Sequence, residues 1–274
     1  MTNNLHNKTL FITGATRGIG REIALRCGRD GAYVVITGKT AEVHAKLAGT
    51  IHSVAEEVKQ AGGQALAIQL DVRDESALES AVAQAAQHFG GIDVLVNNAS
   101  AISLSNTPDT SAKRLDLMWQ VNMRATFLAS RACIPYLKQS TNPHILTMSP
   151  PLNMDAKWFA PHVAYSISKY GMSLCALGMA SEFKNDGIAV NCLWPRTTIA
   201  TAAIEFNFPE SILRASRHPA IMADAAYYIL TRDSHHCTGN FYVDEDILRE
   251  SGVVDFGQYA VTPGGPLFYD FFID

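Results

Sequence analysis

No apolar run approaches the roughly 18 residues that a membrane span needs, so no transmembrane helix is expected. The opening residues, Met1-Thr2-Asn3-Asn4, are polar and lack the apolar stretch of a signal peptide. The last residues match no lipidation or retention motif. The five cysteines (Cys27, Cys133, Cys175, Cys192 and Cys237) are scattered and include no Cys-x-x-Cys pair, which predicts reduced, packed thiols. The nine histidines show no metal-ligand spacing, and His235-His236 reads as a solvated turn, so no metal is expected. A net charge of −4 with interspersed signs argues against a nucleic-acid partner. These absences predict a cytoplasmic location. No internal repeat or Gly/Ser linker divides the chain.

What is present is ample apolar material, 47% against 18% charged residues, in a chain of 274 residues. That suits one α/β domain spanning 1–274. Short, near-continuous apolar runs at 9–12, 33–36, 65–70, 92–96, 144–148, 188–193 and 241–243 predict about seven strands buried on both faces. Amphipathic stretches at 19–29, 51–61, 75–89, 112–138 and 163–184 predict helices between them. The alternation predicts βαβ units and a doubly wound parallel sheet. Gly-Gly pairs at 62–63 and 90–91 stop two helices. A long loop is expected over 40–50, a lid over about 196–219, and an irregular C-terminal extension over about 244–274.

The first strand runs into Thr13-Gly14-Ala15-Thr16-Arg17-Gly18-Ile19-Gly20, where a helix begins. Gly14 permits a tight exit from the strand, Gly18 lets backbone approach a pyrophosphate, and Gly20 lets the helix pack close to the sheet. The helix N-terminus adds N–H donors and partial positive charge, so Thr16, Arg17 and Ile19 join the expected phosphate cradle.

The spacing Gly-x-x-x-Gly-x-Gly resembles the short-chain dehydrogenase/reductase family, which implies a Rossmann-type fold. Asn97-Asn98-Ala99-Ser100 is similar to that family's Asn-Asn-Ala-Gly, and Tyr165-Ser166-Ile167-Ser168-Lys169 to its Tyr-x-x-x-Lys. Further matches, at Ser149-Pro150-Pro151-Leu152-Asn153, Trp194-Pro195-Arg196-Thr197 and Asp270-Phe271-Phe272, resemble the hydroxysteroid dehydrogenase-like subgroup. In animals that subgroup adds a sterol-carrier domain, and none is expected within residues 1–274. The resemblance implies an alcohol–carbonyl oxidoreductase with Tyr165, Lys169, Ser149 and Asn122 as catalytic residues. It places Asn98, Ala99, Asp71 and Val72 against the nucleotide, the latter two at the adenine. Pro195 matches a Pro-Gly turn whose Gly is here Arg196, and Thr197, Ile199 and Thr201 are the candidates for the nicotinamide amide. Asn122 is implied to disturb its helix and hold a water leading to the lysine. A homodimer or homotetramer, paired through the helices at 112–138 and 163–184, is also implied, with Met172, Leu174, Leu177 and Met179 serving that face or the core.

The chemistry follows from residue types. Tyr165 and Lys169 lie four apart, on one helix face. A nearby ammonium lowers a tyrosine pKa from about 10, and Tyr165 then exchanges a proton with the substrate oxygen. Lys169 is also a candidate for the ribose hydroxyls. The serine is displaced: the family position falls on Pro150, and Ser149 lies one residue early. Either Ser149 swings into the role or no serine serves, with Asn153 a further possible donor. The second strand ends Ile36-Thr37-Gly38-Lys39-Thr40, without the acid that holds a ribose 2′-hydroxyl. Lys39 and Arg17, with Thr37 and Thr40, instead suit a 2′-phosphate, so NADP(H) is expected over NAD(H). Ala202, Ala203, Ile204, Phe206 and Phe208, with Trp158 and Phe159, predict an apolar substrate. Two other functions remain open: enoyl-thioester reduction, and a non-catalytic NADP-binding scaffold or sensor.

Overall fold

The computed structural model describes residues 4–43 and 48–274. Residues 1–3, and residues 44–47 of the loop expected over 40–50, lie outside the described residues. The strands are β1 (Thr9–Ile12), β2 (Tyr33–Gly38), β3 (Gln64–Gln69), β4 (Val94–Asn97), β5 (His144–Thr147), β6 (Ala189–Trp194) and β7 (Phe241–Val243). They form one parallel sheet in the order β3-β2-β1-β4-β5-β6-β7. The helices are α1 (Gly18–Gly28), α2 (Ile51–Gln60), α3 (Glu75–Phe89), α4 (Ala112–Met118), α5 (Ala125–Leu137), α6 (Val163–Glu182), α7 (Ala202–Asn207), α8 (Glu210–Arg214), α9 (Ala220–Leu230) and α10 (Asp244–Glu250).

Each strand alternates between two cores, which is why the runs are apolar throughout. Leu10 and Ile12 of β1 join Ile23 of α1, Val54 of α2 and Ile221 of α9 on one face. Phe11 joins Leu78 of α3, Leu128 of α5 and Met179 of α6 on the other. Local signals set the helix ends. Thr50 and Ser53 form a reciprocal capping box at the start of α2. Asp74 accepts from the Ala77 amide at the head of α3, and Gly90, at φ +84°, closes that helix.

Two expectations are corrected. The helix expected over 112–138 is broken by a π-helical turn, Trp119–Arg124, between α4 and α5. Asn122 sits in that turn, fully buried, and reaches out to Ala101 in the segment after β4 and to Ser168 on α6. The extension after 244 is also less irregular than expected. It begins with α10, whose first turn carries Asp244, Glu245 and Asp246 at the positive end of the helix. Near its end Phe272, 1% exposed, lies inside a third cluster with Met118, Tyr165, Tyr170 and Trp194.

One buried group makes the fold sensitive to pH. The Asp244 Oδ1 accepts the amides of Arg196 (2.9 Å) and Glu245 (2.7 Å), while its buried Oδ2 has no partner among the described residues. Burial pushes its pKa up to about 6, despite those amides and nearby Arg217. A raised folded pKa means that its stabilisation is fully present below the ordinary value near 4 and is lost as pH rises through 6. Asp244→Asn keeps the Oδ1 acceptor and removes the charge. Its melting temperature at pH 8 is expected to exceed the parent's, by the equivalent of about 1–3 kcal/mol, with the gap closing toward pH 4 in thermal melts.

Candidate active site

The strand order reverses between β1 and β4, which opens a crevice at the carboxyl ends of those strands. The turn after β1 lies there. Gly14 (φ +66°) and Gly18 (φ +55°) adopt backbone that only glycine takes readily. A Cβ on Gly20 would stand 2.5 Å from Asn98 Nδ2 and 2.8 Å from the Gly14 carbonyl. Asn98 fixes this turn: its Nδ2 donates to the carbonyls of Thr13 and Gly14, both at 2.9 Å. The amides of Asn98 and Ala99 donate to Thr13 Oγ1 at 3.0 Å. The resulting cleft, about 390 Å³, is lined by Gly14, Thr16, Arg17, Gly18, Ile19, Lys39, Asp71, Val72, Asn98 and Ala99. A dinucleotide fits these residues: side chains are missing where the backbone must approach, and helix α1 points its N-terminus at the cleft.

The far end of the cleft is cationic. Arg17 donates to Thr40 Oγ1 (3.1 Å) and to the Ala48 carbonyl (3.2 Å), and Lys39 stands 3.4 Å from Asp71. Asp71 is clamped by Arg73 through Nε and Nη2, which holds its carboxyl well below the usual range. Thr37 does not face the cleft. It is fully buried, and its hydroxyl donates to the Ile12 carbonyl at 2.8 Å.

A second cavity, about 170 Å³, shares Ile19, Asn98, Ser100, Thr201 and Ala203 with the cleft. Its walls are mostly apolar, among them Met148, Leu193, Trp194, Pro195, Ile204 and Phe208, and Tyr165 and Lys169 open into it. Lys169 Nζ donates to the Met148 carbonyl (2.6 Å), lies 3.4 Å from Met172 Sδ and stands 5.1 Å from the centre of the Trp194 ring. Burial lowers its pKa to about 7, with Asp270 and Cys192 opposing. Tyr165 moves the other way from the sequence expectation. Burial, with the Asp270 carboxylate adding, pushes its phenol up, and the lysine ammonium donates to Met148.

Other candidates are redistributed. Ser149 is fully buried and turned into the sheet, its hydroxyl 3.2 Å from Cys192 Sγ. It does not line the cavity. Asn153 Nδ2 donates to Asp274 at 3.0 Å, away from the cavity. Asn122 spends its side chain on structure: Oδ1 accepts from the Ala101 amide (2.7 Å), and Nδ2 donates to the Ala101 carbonyl (3.0 Å) and to Ser168 Oγ (2.9 Å). Thr197 is buried and bridges to Tyr269, whereas Thr198, Ile199 and Thr201 line the cavity. Phe206 is exposed, and Trp158 and Phe159 pack in the third cluster instead of lining the cavity.

Asp270-Phe271-Phe272 matched the subgroup in sequence, but the chain's end was given no place in the site. Phe268, Tyr269, Asp270 and Phe271 all line the cavity. A lone acid set among four aromatic residues was the available signal.

A family model described as short chain dehydrogenase matches residues 8–209, and the chain belongs to that family, whose members are oxidoreductases that bind an NAD(P) nucleotide. Within it, the chain is 56% identical over 273 residues to hydroxysteroid dehydrogenase-like protein 2 of Bos taurus, and equally to that of Homo sapiens. Those alignments cover 100% of this chain and 65% of each relative, so the chain spans just under two thirds of their length. A solved short chain dehydrogenase from Mycobacterium thermoresistibile superposes with a TM-score of 0.93 at 49% identity, covering 99% of this chain and 96% of the other. A hydroxysteroid dehydrogenase from Escherichia coli gives a TM-score of 0.74 at 27% identity, with coverage of 88% and 96%. No described helix is long and apolar enough to cross a membrane.

Proposed function

We propose that residues 1–274 act as one NADP(H)-dependent oxidoreductase unit, which interconverts an alcohol and a carbonyl on an apolar substrate. The observation that carries this reading is that Tyr165 and Lys169 line an apolar cavity sharing walls with the glycine-turn cleft. The nicotinamide, when bound, supplies or takes up the hydride. Tyr165 gives its phenolic proton to the substrate oxygen in reduction and recovers it in oxidation. Lys169 holds positive charge behind it, and Asn122 acts as a positioning residue through Ser168 and Ala101. Arg17 and Lys39 favour the 2′-phosphate of NADP(H), and Thr198 and Thr201 take the place expected for Thr197 near the amide.

A fatty, terpenoid or steroid-like compound suits the apolar walls, and the relatives' name agrees with the last. The 196–219 segment covers the cavity through Ile204 and Phe208. The test is NADPH consumption with a panel of aliphatic and cyclic ketones. The burial of Ser149 supports a second reading, a scaffold that binds NADP without turnover. NADPH binding with no turnover across the panel would favour it.

The proposal extends to a cytoplasmic homo-oligomer. Met172 and Met179 are core residues, whereas Ile167, Leu174 and Leu177 form an exposed stripe on α6, and Trp119 and Phe127 are exposed as well. Leu174→Glu is expected to shift the protein to a smaller species in analytical ultracentrifugation, with its far-UV spectrum unchanged. An unchanged mass would remove this face from the interface.

A further inference from the structure

We propose that Asp270 is a further catalytic residue, its carboxyl group donating a hydrogen bond to the reacting oxygen beside Tyr165, in the part that Ser149 does not take. This rests on the alcohol–carbonyl reading of the site and adds a group from the far end of the chain.

Three observations carry it. Asp270 lines the same cavity as Tyr165 and Lys169. Several other polar groups there are already engaged: Asn98 Nδ2 by two carbonyls, Lys169 Nζ by Met148, and Thr198 Oγ1 by Ser216 at 2.7 Å, while the hydroxyls of Ser100, Thr201 and Tyr269 come from other parts of the wall. Asp270 spends only Oδ1, on the Phe271 amide at 2.7 Å, and among the described residues its carboxylate forms no ion pair within 4.0 Å of Lys169. It is therefore not a simple counter-ion.

The tail is also held firmly enough to place a group. The Asp270 amide donates to the Arg196 carbonyl (3.0 Å), the Thr198 amide to Phe268 (2.9 Å) and Trp194 Nε1 to the Phe271 carbonyl (2.8 Å). Phe272 adopts φ +71°, rare for a side-chain-bearing residue, and is locked by burial among Tyr165, Tyr170 and Trp194. Backbone strain held by packing is characteristic of functional sites.

The acid also keeps a proton to donate. The groups that face Asp270 are Tyr165 and Lys169 from α6 and Asp244 from α10. Burial raises its pKa to about 7, with the Phe271 amide and Lys169 opposing and Asp244 adding. A neutral carboxylic acid in an apolar cavity donates a hydrogen bond without leaving an unpaired charge.

The test uses octan-2-one with the full chain and NADPH. Asp270→Ala should lower kcat about 100-fold, the scale for one lost donor at a reacting oxygen, with melting temperature and NADPH binding unchanged. Asp270→Asn keeps the Oδ1 acceptor and offers an N–H, so it should recover most of that loss. Turnover of the alanine variant within twofold of the parent overturns the proposal, as does an asparagine variant as slow as the alanine one. If the parent turns over no ketone, the alcohol–carbonyl reading fails separately. The readout is then octan-2-one binding to the NADPH-loaded protein, followed by tryptophan fluorescence. Binding weakened in Asp270→Ala and restored in Asp270→Asn supports the contact; equal binding in all three overturns it.

Discussion

Tyr165→Phe is expected to lower kcat for NADPH-driven ketone reduction by about 10²–10⁴-fold, the range for loss of a positioned general acid. The substitution is close to isosteric. The ring keeps its place beside Phe272, whose centroid lies 6.4 Å away, and only the hydroxyl is removed. NADPH affinity and melting temperature should therefore be unchanged, which separates a chemical loss from a folding loss. Burial keeps the phenol protonated across neutral pH, so the resting enzyme is set to donate a proton. Reduction should accordingly hold its rate below pH 7, while oxidation should need the added positive charge of the oxidised nicotinamide to favour phenolate. Turnover unaffected by the change would remove Tyr165 from the mechanism, and stopped-flow reduction with fluorescence titration of NADPH reads both quantities.

The parts of this site that were legible in the sequence depend on local chain geometry. Gly14 and Gly18 need positive φ whatever the rest of the chain does, and Tyr165 and Lys169 share a helix face by spacing alone. The strands are legible for a related reason: burial on both faces leaves no polar alternation, although the edges of β2, β3, β4, β5 and β6 differ by one or two residues from the apolar runs. What was not legible depends on distant partners. Asp270 reaches the cavity because Trp194, 77 residues before Phe271, holds the tail. The disturbance of the helix at Asn122 was implied by the resemblance, but the partners that hold its π turn, Ala101 and Ser168, lie 21 and 46 residues away. Ser149 turns to Cys192 across β5 and β6, an orientation that no local pattern encodes. The reversed shift of Tyr165 belongs to the same class, because a four-residue spacing fixes the face of a helix but not the direction of a lysine ammonium.

The Arg17→Ala, Lys39→Ala double variant is expected to weaken NADPH binding by about 10²–10⁴-fold, while NADH binding stays unchanged. Hydrogen bonds to charged groups contribute about 1.5–3 kcal/mol each, and two are removed. Arg17 is preorganised by Thr40 and the Ala48 carbonyl, so little ordering is needed when a phosphate arrives. Lys39 is 67% exposed on its side chain, and its contact with Asp71 at 3.4 Å is an open surface pair that contributes little. A 2′-phosphate offers Lys39 the stronger partner, since Asp71 is already held by Arg73. The change should not create an NAD enzyme. An acid at the end of β2 would have to replace Gly38, where a Cβ would stand 2.8 Å from Thr16 Cγ2. The double variant should therefore lose affinity for one nucleotide without gaining it for the other, and the salt dependence of NADPH binding should fall toward that of NADH. Isothermal titration of both nucleotides at two ionic strengths checks this, and an equal loss for NADH would place both cations elsewhere on the nucleotide.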